Sequence, residues 1–129
     1  MVRRVGSSPV MSQAVSSGPF VFVSGQVALG PDGALVGAGD VRAQAEQCFH
    51  NIGELLSEFG GSLGDVTKIT GYLTDVAFAP EYLAVRAALF AETGAPASTT
   101  VVVAGLLDPR FLVEVEAVAV IARADGSPS

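Results

Sequence analysis

The sequence predicts a single α+β domain, a mixed sheet with two helices packed on one face, and three observations carry that prediction. Segments rich in Val, Phe, Thr and Ile, several alternating in polarity, lie towards both ends of the chain. Two other segments repeat their apolar residues at helical spacing. Glycine and proline clusters separate these segments at short intervals, and helices interleaved with strands in this way pack on a sheet. The order read is strand, strand, helix, strand, helix, strand, strand.

The first strand is Phe20 to Leu29, "FVFVSGQVAL", and "GPDG" at Gly30 to Gly33 has the chemistry of a tight turn into a short partner strand around Ala34 to Val36. Asp40 offers a side-chain acceptor to the free amides of a helix start. Val41, Ala45, Cys48, Ile52, Leu55 and Phe59 then recur at helical spacing until Gly60 and Gly61 stop the helix. "DVTKITGYLTD", Asp65 to Asp75, alternates and reads as a strand. Pro80 suits a first helical turn, and the second helix runs through Leu83, Arg86, Ala87 and Phe90 to a stop at Gly94. Two strands close the chain, about Thr99 to Ala104 and Leu112 to Ala122, while residues 1–5 and 124–129 read as flexible ends.

A chain of 129 residues makes one domain, 1–129, and has no room for a second. Half of its residues are hydrophobic, yet no apolar run approaches the roughly 20 residues of a membrane helix, so no membrane partner is expected. That apolar surplus points to a subunit interface. Thirteen acids against seven scattered bases give a net charge of -6, which argues against a nucleic-acid partner. Cys48 has no second cysteine to pair with, and "GSSPVMSQAV" after Arg3 and Arg4 lacks a signal-peptide core, so the expected location is cytoplasmic. His50 lacks a second His or Cys at ligand spacing, and no glycine-rich phosphate loop precedes a helix; neither a metal nor a nucleotide cofactor is expected.

Period decides which polar residues share a face. In the last strand Val113, Val115, Ala117, Ala119 and Ile121 form an apolar side, which leaves Glu114 and Glu116 next to one another on the opposite side. Two carboxylates in an apolar strand repel and resist desolvation. Either they lie at a solvated edge or pair with Lys68 or an arginine, or one of them handles protons in a pocket. In "PASTTVVVAG", Pro96 to Gly105, the hydroxyls of Ser98 and Thr100 share a face, as do Thr99 and Val101 on the other.

"FVFVSGQ" (Phe20 to Gln26), "DVRAQAEQCFHNIGELL" (Asp40 to Leu56), "DVTKITGYLTD" and "DPRFLVEVEAVAV" (Asp108 to Val120), taken in this order, resemble the Rid family, also called the YjgF family. The resemblance implies a chorismate-mutase-like fold and a homotrimer whose intersubunit clefts take a small-molecule metabolite. It further implies hydrolysis of enamine and imine intermediates without metal or cofactor. Where such members carry a carboxylate-binding arginine, this chain has Ser98; Met11 stands for a tyrosine, Leu83 for an asparagine and Thr100 for a cysteine. Glu114 matches the family's first strand glutamate, and Ser24 belongs to the shared Ser-Gly-Gln. The expected site is therefore Glu114 as the proton handler, with Ser98, Thr100, Met11, Ser24, Leu83 and Arg86 binding substrate. Arg86 either supplies the missing charge from its helix or extends to solvent. Arg110 is expected to be exposed, and turnover of ordinary 2-iminoacids is expected to be weak. A non-catalytic binding trimer is the alternative, and RNA cleavage conflicts with the acidic balance.

Overall fold

The computed structural model describes residues 2–127. In chain order the elements are β1 (Val2–Ser7), β2 (Ser12–Ser17), β3 (Phe20–Gln26), α1 (Val41–Ser57), β4 (Val66–Leu73), α2 (Ala79–Leu89), β5 (Ala97–Val102) and β6 (Val113–Val120). The strands form one six-stranded sheet in the order β1-β2-β3-β6-β4-β5. Every pairing is antiparallel except that of β4 with β5. Both helices cover the same face.

Alternation explains that face. Val113, Val115, Ala117 and Ala119 of β6 are buried with Val21 and Val23 of β3 and Ile69 and Leu73 of β4. The stripe Val41, Ala45, Cys48, Ile52 and Leu56 of α1 packs onto them. Asp40 caps α1 by accepting the Ala43 amide at 3.1 Å, and the Gly61 amide closes its other end on the Leu56 carbonyl at 3.0 Å. Gln44 is a fully buried polar residue with its amide satisfied: it donates to the carbonyls of Gly37 and Arg110 and accepts from the Leu112 amide. It thereby ties α1 to the segment that feeds β6. Phe49 stacks on Tyr82 at 6.2 Å and meets Phe90 edge-on at 6.0 Å, which locks α2 against α1.

Four expectations are corrected. Residues 2–5, read as a loose end, belong to β1, which is held by its ladder to β2 and by Arg3, whose guanidinium donates to the Glu58 carbonyl at 2.7 Å and lies over Phe59. The strand expected around Ala34 to Val36 shrinks to a single bridge between Leu29 and Leu35. The other end, read as loose from residue 124, begins with a fully buried Ala124; residues 128 and 129 lie outside the described residues. Finally, α2 stops at Leu89, and a turn that joins the Gly94 amide to the Phe90 carbonyl completes the segment.

Gly71 of β4 faces α2, and a Cβ there would overlap the hydroxyl of Tyr82, which is fully buried. The ring cannot retreat because Phe49 stacks on it. Gly71→Ala is expected to lower unfolding free energy by about 1–3 kcal/mol, read from the urea midpoint at unchanged slope.

Candidate functional site

The register of the sheet sorts the expected site residues onto two sides. Ser98 lies beside Ile69 and Thr100 beside Gly71 in the parallel pairing, so both hydroxyls project on the helix-covered side. Glu114 lies beside Tyr72 and Glu116 beside Thr70, so both carboxylates project on the open side. A single chain thus does not bring Ser98 and Glu114 together.

The open side builds one half-site around Glu114. Gly25 comes so close to the Glu114 carboxylate that any side chain there would overlap it. Burial, and then the charge of Glu116, push the Glu114 pKa above the usual glutamate value. Glu116 accepts a short hydrogen bond from the Tyr72 hydroxyl, and that bond raises the pKa of Tyr72. Lys68 instead donates to the Thr99 hydroxyl at 2.8 Å. Among the described residues neither glutamate has an ion-pair partner, so the pairing with Lys68 or an arginine gives way to hydroxyl chemistry. Ser24 donates its hydrogen to the Ser12 carbonyl at 2.7 Å, which leaves it an acceptor only. Met11, 45% exposed, lies beside Ser12 at the tip of the β1–β2 hairpin, which its backbone closes by bonds with Ser8.

A second half-site lies where α2 meets β5. Arg86 donates to the Thr100 hydroxyl at 3.3 Å, and its guanidinium lies 5.5 Å from the Tyr82 ring centroid. Leu83, one turn earlier on α2, is exposed, as are Ser98 and Thr100. Arg86 is itself half-buried, so it does not simply extend to solvent.

The remaining residues singled out in the sequence have plain places in the fold. Cys48 is core: burial, with the charge of Glu114 adding to it, pushes its pKa up to about 12, so it carries no reactive thiolate. His50 is exposed and 3.8 Å from Glu54 on the same helix, and no cluster of three or more metal-ligating side chains exists among the described residues. Arg110 is exposed and paired with Asp108 at 2.8 Å. No helix of the described residues is long and apolar enough to cross a membrane. Sequence reasoning missed Tyr72 and Gly25. Alternation places Tyr72 opposite Ile69 and Leu73, but only the long-range pairing of β4 with β6 reveals its partner.

Residues 3–121 match the family described as Endoribonuclease L-PSP. A RutC family protein from Pyrococcus abyssi is 38% identical over 109 residues, covering 84% of each chain. A protein named 2-iminobutanoate/2-iminopropanoate deaminase, from Salmonella typhimurium, is 36% identical over 111 residues, again 84% of each. The crystal structure of a YjgF-family member from Mycobacterium tuberculosis superposes with a TM-score of 0.81 at 30% identity, covering 94% of this chain and all of that one. The chain belongs to this family, which its relatives carry under the names RutC and YjgF.

On this scaffold Glu114 strains its own fold. Its pKa is raised on folding, so ionising it costs more in the folded chain than in the unfolded one. Stability from this group is full below the unfolded value near 4.5 and is lost as pH rises through the folded value. Glu114→Gln is expected to melt above wild type at neutral pH, with the gap closing as pH falls below 4.5, in thermal scans across that range.

Proposed function

We propose that this chain is a cofactor-free enzyme that hydrolyses or tautomerises a small enamine or imine metabolite, at clefts completed by neighbouring copies in a homotrimer in the cytoplasm. The observation that carries the reading is Glu114, a half-buried carboxylate with a raised pKa, held against Gly25 on a sheet face that no helix covers. In hydrolysis its carboxylate takes a proton from water while the water oxygen bonds to the imine carbon. That proton passes to nitrogen, the carbinolamine collapses, and a carbonyl compound and ammonia leave. Two features support assembly: the half-sites lie on opposite sides of the sheet, and the open face leaves Phe20, Phe22 and Val120 exposed in one chain. The imine-deaminase name of the Salmonella relative supports the choice of reacting group.

We read Ser98 as standing where imine-hydrolysing relatives carry an arginine. A hydroxyl forfeits a charge-assisted contact worth about 2–5 kcal/mol when buried, so ordinary 2-iminoacids are turned over weakly. A trimer that binds a metabolite or a partner protein without reaction is the second reading, favoured by Ser24, whose only hydrogen is committed to Ser12. RNA cleavage, which the family description suggests, is opposed by the net charge of -6.

Ammonia release from a carboxylate-free imine generated in place by an amine oxidase tests the reading. Glu114→Gln is expected to slow it by about 100-fold or more, whereas equal rates in the two proteins would end the enzymatic proposal. Ser98→Arg is expected to speed hydrolysis of 2-iminobutanoate.

A further inference from the structure

Tyr72 of β4 stands directly opposite Glu114 in the antiparallel register, and Thr70 stands opposite Glu116. The Tyr72 hydroxyl nevertheless reaches across the diagonal and donates to Glu116. A phenol has one hydrogen, so the carboxylate that faces it receives none from it. That same bond, more than any other influence, raises the pKa of Tyr72, and the hydroxyl remains a donor throughout the range in which a carboxylate titrates. Lys68 shares a hollow of the open face with Phe22, Thr70 and Glu116, but its ammonium goes to Thr99 at 2.8 Å. Tyr72 therefore fixes Glu116 without cancelling its charge.

The other elements packed around Glu114 offer no rival to that charge. β3 brings Gly25 against it, and the strand Phe20–Gln26 has no titratable side chain. α1 brings Cys48, whose thiol keeps its proton because its pKa is pushed up to about 12. β4 brings Tyr72 itself and, further along the same face, Lys68 with its hydroxyl partner. Glu116 is thus the neighbour whose field adds to burial in raising the proton affinity of Glu114.

We infer that Tyr72 is a positioning residue: through its hydroxyl it holds Glu116 beside Glu114, and the second carboxylate makes Glu114 a stronger base towards water. This rests on the reading of Glu114 as the proton handler and adds what sets its basicity. Without the hydroxyl, Glu116 is free to turn away or to share a proton with Glu114, and either change lets Glu114 ionise more readily.

Carbon-13 NMR of the glutamate carboxyls, titrated in the full chain, reads this effect with no substrate present. The Glu114 midpoint is expected to move to lower pH in Glu116→Gln and in Tyr72→Phe, while Tyr72→Phe adds nothing in the Glu116→Gln background. An unmoved midpoint in Tyr72→Phe, or the same shift from it in both backgrounds, would overturn the inference. In turnover of the carboxylate-free imine, Tyr72→Phe is expected to carry the acid limb of kcat to lower pH and to lower its plateau by about three-fold at unchanged KM. A shifted midpoint beside turnover that ignores Glu114→Gln sinks the enzymatic reading alone, whereas an unmoved midpoint beside turnover that needs Glu114 sinks the role of Tyr72 alone.

Discussion

The alternation of β6 is the constraint on which the rest depends. A central strand with two helices on one side must keep that side apolar, and β6 does so with Val113, Val115, Ala117 and Ala119. Every polar residue of the strand then has one direction left. Glu114 and Glu116 project onto the open face because the core takes the other, and a slip of one residue would bury both acids under α1. Gln44 helps to hold that register, since its bonds to the Arg110 carbonyl and the Leu112 amide fix the segment entering β6.

The same constraint separates the two half-sites. β4 pairs with β6 on one edge and with β5 on the other, and its residues dictate the facing of both. Gly71 and Leu73 turn Thr100 and Val102 towards the helices, while Tyr72 and Thr70 align the glutamates with open space. One copy of the chain therefore presents Thr100 and Glu114 on opposite sides of its sheet, which is the geometric ground, beside the apolar surplus, for proposing a cleft between copies.

Much of the fold was legible because helix stripes and buried strands are local patterns. Asp40, the α1 stripe, the Gly60-Gly61 stop and the apolar side of β6 could all be read residue by residue. β1 and β2 were not. "VRRVGS" and "SQAVSS" hold few large apolar residues, and β1 forms the edge of the sheet, where partners from distant sequence do the ordering. The candidate site was legible in kind but not in arrangement. The pairing of two acids and the shared side of Ser98 and Thr100 follow from period two, whereas the opposed facing of those pairs depends on which strands adjoin, a long-range fact.

The hydroxyls find a common explanation in their partners. Lys68 donates to Thr99, Arg86 donates to Thr100, and Glu116 accepts from Tyr72, all on β4, β5, β6 or the helix above them. In each case a charged group on or beside the sheet is satisfied by a neutral oxygen. A counter-ion would have cancelled the charge as well as completing its hydrogen bond. A hydroxyl orients the group and leaves its field standing, and that field acts more strongly where water is thinned by burial or by a neighbouring copy. Threonines where valines would pack equally well thus fit a surface whose charges remain available to something outside the chain.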